Sequence, residues 1–332
     1  MRAAIFHNSL TQKGGAEKLV LCLANELKAD IITPFFDPEI LSYFGYPKQK
    51  VIVINPFFGN HWFTDISSIL AFSFCDFSRN YDAFIFSGAI TLFAAKKHSP
   101  SLYYSHYEIL NGLLKPVFAG IMLPMRVVSN SKRTQKKLFE EFGIGSDVIY
   151  PPIDVKSFFP KKSMGYWLSV NRLHEQKRIE LQLEAFRFLP EKKLFIVGEP
   201  ISEKNSKYKK FLEKNKPENV QFLQTKNRSE LIALYSNCEG FIATSQDEPF
   251  GMSVVEALAS GKPVVCVDEG GYRETVIEGK TGFLVSADPV EICAAIKKVS
   301  QNPGKYRIAC TDRAKEFDAS LFFEKIRRVS EF

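Results

Sequence analysis

The sequence predicts an α/β protein made of two doubly wound parallel sheets in tandem, and three observations predict it. Short runs rich in β-branched and aromatic residues alternate with amphipathic helical stretches along the chain, the rhythm of strand–helix–strand units. That rhythm breaks once, where Pro151-Pro152 and then Phe158-Phe159-Pro160-Lys161-Lys162 bring prolines and charges together, as a hinge between domains does. At 332 residues, the chain also suits two domains better than one.

Taken in order, residues 2–6 form a buried strand pattern, 7–15 a polar loop ending in glycine, and 16–27 a helix with Leu19, Leu23 and Leu27 on one face. Strands follow at 31–33, 51–54, 83–87, 102–105, 126–129 and 147–150, with a helix at 131–142. Beyond the hinge, strands are expected at 166–170, 193–197, 220–223, 240–243, 263–267 and 282–285, and helices at about 178–189, 206–214, 229–237 and 289–300. Residues 306–332 read as one or two helices, with Phe317, Leu321, Phe322 and Ile326 as an apolar face. The domains are thus placed at 1–152 and 153–315, with a closing helical segment at 316–332.

Composition narrows the function. With 45% hydrophobic and 24% charged residues, the chain can bury ordinary cores. The net charge of +7, from 44 Lys and Arg against 37 Asp and Glu, favours anionic ligands or an anionic membrane face and falls short of a nucleic-acid footprint. The six cysteines (Cys22, Cys75, Cys238, Cys266, Cys293, Cys310) show no C-x-x-C, so buried thiols in a reducing, cytoplasmic setting are expected. No signal peptide precedes the first strand pattern. The longest apolar span, 113–125, is interrupted by Lys115, Pro116, Gly120 and Pro124, so membrane contact is expected to be peripheral. The aromatic stretch 57–77, with Phe57, Phe58, Trp62, Phe63, Phe72, Phe74 and Phe77, fits core packing and an exposed acceptor- or lipid-facing surface equally.

The chemistry concentrates in Gln246–Val276, where Q-D-E-P-F-G-M-S-V-V-E-A-L-A-S-G-K-P-V-V leads into D-E-G-G-Y-R-E-T-V. A polar loop enters a short helix that Ser253 can cap, which sets the backbone N–H groups of Gly251, Met252 and Ser253 at its positive end, an anion site. Glu248 and Glu256 flank it. Ser253 and Glu256 also match S-x-x-E, a capping box that needs no ligand, whereas Glu248 ahead of Pro249 answers no local backbone demand. After the strand at 166–170 comes N-R-L-H-E-Q-K-R, where an Arg172 fork and a Lys177 point charge suit a diphosphate, against the plainer alternative of a solvated basic loop. Gly14-Gly15 permits close approach of backbone to a phosphate or marks an ordinary turn. His106 lies just past a strand; His7, His61, His98 and His174 carry no role beyond solvent or packing. There is no D-x-D, H-E-x-x-H or Cys/His cluster, so no dedicated metal site is expected, and G-x-G-x-x-G after the first strand and G-x-x-x-x-G-K-[ST] are both missing.

E-P-F-G-M-S-V-V-E resembles the E-x7-E signature of retaining glycosyltransferase family 4, and A-L-A-S-G-K-P-V-V and E-G-G-Y-R-E-T-V resemble the family's next segments. The resemblance implies the GT-B architecture: two Rossmann-like domains facing a central cleft, the first on the acceptor side, the second binding a nucleotide sugar, and a last helix crossing back to the first. It implies that Arg172 and Lys177 form the R-x4-K donor clamp, although the usual glycines on either side are Asn171 and Arg178 here. It further implies that Glu256 meets the ribose, that Glu248 and the backbone of Phe250, Gly251, Met252 and Ser253 hold the donor sugar, that Gly14 and Gly15 face the diphosphate, and that His106, in Tyr104-Ser105-His106, faces the sugar. Residues 224–226 would flank the base. The expected activity is metal-independent hexosyl transfer to a glycan or lipid-linked acceptor, with no cofactor beyond the donor, GDP-mannose first and a UDP-hexose second. The basic run Lys132, Arg133, Lys136 and Lys137 would touch an anionic membrane. An epimerase of the same architecture and a non-catalytic nucleotide-sugar-binding subunit are the alternatives.

Overall fold

The computed structural model describes residues 2–55, 64–106, 114–200, 202–225 and 227–329. The chain divides into two compact units, Met1–Pro152 with Ser320–Phe332, and Ile153–Ala319. The first unit holds a parallel sheet of β1 (Ala3–His7), β2 (Asp30–Thr33), β3 (Val51–Val53), β4 (Ala83–Ser87), β5 (Ser101–Ser105), β6 (Arg126–Ser129) and β7 (Asp147–Val148), ordered β3-β2-β1-β4-β5-β6-β7. Its helices are α1 (Gly15–Leu27), α2 (Pro38–Phe44), α3 (Thr64–Phe74), α4 (Lys115–Met122) and α5 (Lys132–Phe142), with a 3-10 segment at Ala89–Lys97.

The two faces of this sheet are separated by strand alternation. On β1, Ala3 and Ile5 enter one core and Ala4 and Phe6 the other; on β4, Ala83 and Ile85 part from Phe84 and Phe86 in the same way. Both strands are buried along their whole length, which is why they read as unbroken apolar runs. The first core takes Leu19 and Leu23 from α1, and the second takes Phe72, Phe118 and Leu138 from α3, α4 and α5.

The second unit has β8 (Tyr166–Val170), β9 (Lys193–Val197), β10 (Val220–Leu223), β11 (Gly240–Ala243), β12 (Val264–Val267) and β13 (Gly282–Val285), all parallel and ordered β10-β9-β8-β11-β12-β13. Between them lie α6 (Ile179–Arg187), α7 (Glu203–Asn215), α8 (Arg228–Asn237), α9 (Met252–Ala259), α10 (Tyr272–Thr275), α11 (Pro289–Ser300) and α12 (Arg307–Lys315). The last helix, α13 (Ala319–Val329), buries Phe322, Ile326 and Val329 in the α1 core of the first unit.

Several expectations change here. Phe317 stays with the second unit, its ring 5.3 Å from that of Phe250, and Leu321 is exposed, so the apolar face of the terminal segment starts only at Phe322. The strand expected at 147–150 closes after two residues. The 3-10 segment has no clear amphipathic stripe; Ala89, Leu92, Ala94 and Ala95 are all buried, so no polar face marks the period. In the aromatic stretch Phe72 is fully buried, Phe77 packs on the core and Phe74 is exposed, while Phe57, Phe58, His61, Trp62 and Phe63 lie outside the described residues. All six cysteines are free, and burial pushes the Cys238 thiol up to about 12. Among the described residues no helix is long and apolar enough to cross a membrane, and no group of three or more His, Cys, Asp or Glu is arranged to hold a metal.

Candidate functional site

In an open parallel sheet, ligands bind beyond the carboxyl ends of the strands where the winding reverses. In the second unit that point lies between β8 and β11, neighbours in space but not in sequence. The loop leaving β8 carries Arg172 and Lys177; the loop leaving β11 carries Glu248 and ends at Gly251, which opens α9. Four of the residues singled out from sequence thus converge on one crevice.

The two loops meet through charge. Lys177 Nζ donates to the Glu248 carboxylate at 2.6 Å, the side chains 18% and 17% exposed. Backbone contacts hold the loops side by side: the Gln246 N–H donates to the Gln176 carbonyl at 2.8 Å, and the Thr244 hydroxyl donates to the Lys177 carbonyl at 2.8 Å. Burial pushes the Glu248 carboxyl up, but the Lys177 charge and hydrogen bond, with Ser245 and His174, more than offset it and hold the carboxyl below its ordinary value. His174 is pushed down to about 4 by burial and by the Lys177 and Arg172 cations. The imidazole between the two cations is therefore neutral at pH 7.

The start of α9 differs from the sequence expectation. Gly251 is its N-cap, with φ 91°, and no side chain caps it. Ser253 lies inside the first turn, so the Ser253–Glu256 capping box does not form. A Cβ at Gly251 would sit 2.8 Å from the Tyr272 ring, so both its backbone angle and its surroundings call for glycine. Val254 and Val255 N–H donate to the Gly251 carbonyl, and the N–H groups ahead of them, with no intrahelical acceptor, are of the kind that can bind an anion. Phe250 is buried against Phe317, so only its backbone can reach a ligand. Glu256, released from capping, is buried one turn in, its carboxylate 3.9 Å from Arg228 Nη1. Burial and the Glu256 charge raise the Tyr235 hydroxyl well above its ordinary value.

In the first unit the winding reverses between β1 and β4. The loop after β1 ends at Gly14, N-cap of α1, again without a side-chain cap, and α1 begins at Gly15. His106 follows β5, its Nε2 2.9 Å from the hydroxyl of Ser87, the last residue of β4. The Ser87 carbonyl lies 3.1 Å from Nδ1 of buried His7. Gly14, Gly15 and His106 thus belong to one unit, and Arg172, Lys177, Glu248 and Glu256 to the other. His98 is a core residue, accepting from the Phe77 N–H at 2.8 Å. Residue 226 lies outside the described residues.

Sequence reasoning missed Ser87, Thr244, Arg178 and Glu269. Ser87 ends one strand and Thr244 directly follows another, positions a strand-end rule would have flagged. Glu269 stands in the D-E-G-G run but carries no motif of its own.

Residues 153–317 match the family described as "Glycosyl transferases group 1". The chain is 26% identical, over 91% of its own length and 90% of the relative's, to the alpha-1,3/1,6-mannosyltransferase ALG2 of Dictyostelium discoideum. It is 29% identical to the Homo sapiens protein of the same name over 61% of this chain and 57% of that one. Its fold is similar to that of Anabaena Alr3699/HepE, solved in complex with UDP and glucose, with a TM-score of 0.82 at 20% identity over 100% of both chains.

Proposed function

The chain belongs to the glycosyl transferases group 1 family, matched through residues 153–317, and from that premise we propose that it moves a hexose, mannose first, from a nucleotide-diphosphate sugar to a glycan or lipid-linked acceptor with retention of configuration. The observation that carries this is the Lys177–Glu248 pair at 2.6 Å beside the uncapped start of α9, at the winding reversal of the second sheet. The α9 N–H groups and the cations of Lys177 and Arg172 take the diphosphate. Glu248 takes hydroxyls of the donor sugar and Glu256 those of the ribose. GDP-mannose is the first donor on the names of the mannosyltransferase relatives, and a UDP-hexose the second on the UDP-bound structure of like fold.

In the reaction an acceptor hydroxyl oxygen bonds to the anomeric carbon as the bond from that carbon to the diphosphate oxygen breaks, on the same face. The acceptor's proton passes to the departing diphosphate oxygen. Lys177 and Arg172 stabilise the negative charge that gathers there, which is worth about 3 kcal/mol if comparable to one oxyanion donor. In the first unit, His106, held by Ser87, and the Gly14-Gly15 backbone are the candidates for hydroxyl and phosphate contacts. An acceptor on an anionic cytoplasmic membrane face would meet α5, which exposes Lys132, Lys136 and Phe139.

The test is a thermal-shift and nucleotide-release panel of GDP-mannose, UDP-glucose, UDP-galactose and UDP-N-acetylglucosamine, with and without Mg²⁺. Stabilisation by GDP-mannose with slow release of GDP, independent of Mg²⁺, is the expected result. Stabilisation by a UDP sugar alone replaces the donor, and no response to any of the four removes the transferase reading.

A further inference from the structure

Arg178 adopts φ 46° and ψ 47°, the left-handed region, where a side chain with Cβ is disfavoured and glycine is the residue expected. It sits directly after Lys177 and serves as the N-cap of α6, without a side-chain cap. An arginine at such a position needs a compensating gain, and its contacts supply one. Nε donates to the Thr244 carbonyl at 2.9 Å, just beyond β11. Nη2 stands 2.9 Å from the Glu269 carboxylate, in the loop after β12. The Arg178 carbonyl in turn accepts from the Thr244 hydroxyl at 3.1 Å.

Glu269 closes the ring, because its carboxylate also accepts from the Asp247 N–H at 3.2 Å. Asp247, next to Glu248, has a left-handed backbone of its own, φ 48°. On the other side of Glu248, its carbonyl accepts from the Gly271 N–H at 2.7 Å, and a Cβ at Gly270 would fall 2.4 Å from that carbonyl oxygen. The segment bearing Glu248 is thus clamped between the loops after β8 and β12. Arg178 joins both of those loops and the end of β11.

We propose that Arg178 is a positioning residue: its guanidinium, spanning the Thr244 carbonyl and the Glu269 carboxylate, locks three loops so that Lys177 and Glu248 meet in the geometry the donor requires. Lysine cannot do the same, since an ammonium is one point charge and not a fork. The proposal rests on the donor reading above for its catalytic consequence, but its structural content does not.

The experiment compares wild type with R178G, R178K and E269Q. R178G removes the whole side chain but suits the left-handed backbone, and the two effects offset in part, so its Tm is expected within about 3 °C of wild type. The direct readout is the carboxyl titration of Glu248 by carbon-13 NMR, assigned against E248Q, in the chain without donor. Groups facing that carboxyl are Lys177, His174, Ser245, Cys266 and Tyr272. With Lys177 no longer held in place, the titration is expected to move up by about half a pH unit or more in R178G and in the same direction, by less, in E269Q. Turnover is expected to fall about tenfold in kcat in R178G with donor KM little changed, and R178K is expected not to restore it. An unmoved titration in both R178G and E269Q, or full restoration by R178K, overturns the proposal. A wild-type chain inert toward every donor sinks the transferase reading while the titration still decides this one.

Discussion

The two units carry parallel sheets of the same kind and gather polar groups at the same place, yet they equip those places differently. At the winding reversal of the second unit, charges of opposite sign are paired at 2.6 Å and held by backbone bonds between loops. At the corresponding place in the first unit the described contacts include an imidazole 2.9 Å from a serine hydroxyl, with the carbonyl of that serine 3.1 Å from a second imidazole. A diphosphate asks for cations fixed in advance, because loosely held charges would lose affinity to ordering entropy. A sugar or acceptor hydroxyl asks for neutral hydrogen-bond partners at a set distance. The difference teaches that like places in two similar sheets can be furnished with different chemistry, an ion pair in one and an imidazole–hydroxyl contact in the other.

The sharpest way to break the comparison is K177A. It is expected to lower kcat by about a hundredfold or more through loss of charge at the leaving group. It should also cost about 1–3 kcal/mol in urea unfolding, because Glu248 is left partly buried without its cation. The double variant K177A/E248A should recover part of that stability and none of the activity; additive losses would show that the pair is not coupled. H106A acts on the first unit, and is expected to lower kcat by about tenfold to a hundredfold with no change in the salt dependence of donor binding. S87A should follow in the same direction with a smaller loss, and an equal or larger loss would show that the serine acts by itself.

Smaller still is E256Q, expected to raise donor KM by about tenfold with little change in kcat, as loss of one charge-assisted hydrogen bond to a nucleotide would. Equal effects on kcat and kcat/KM would move Glu256 from binding to the chemical step. The smallest effect is one of pH. With His174 at about 4 in the folded chain against an ordinary value of 6.5, the unfolded chain takes up a proton first as pH falls. The stability this histidine contributes is fully present above 6.5 and is lost as pH falls toward 4. Unfolding free energy should therefore drop between pH 7 and pH 4.5 by about 2 kcal/mol more in wild type than in H174Q. Equal drops would show that His174 is not held neutral between the two cations.

Much of this was legible in the residues. Strands such as 83–87, 166–170, 193–197 and 282–285 lie where the apolar runs put them, because each is a short run rich in β-branched and aromatic residues bounded by polar or turn residues. The placing of Lys177 and Glu248 at strand ends was legible for the same reason. The capping of α9 was not: Ser253 offers a good cap chemically, but Gly251 takes the turn first with a backbone angle that a serine would resist. Arg178 was visible only as a departure from an expected glycine, and its three contacts reach residues 66 to 91 positions away.

The sequence by itself determined what depends on local order: the two sheets, the break between them, the short helix after the Glu248 loop, and the supply of Arg172, Lys177, Glu248 and His106 after strand ends. The tertiary structure decided what depends on distance in space. It paired Lys177 with Glu248, set Ser87 against His106, and turned Arg178 from a misfit into a tie between loops. The physical reason is that periodicity and capping act within a few residues, whereas a charge or hydrogen bond worth having here joins side chains that only the winding order of the strands brings together.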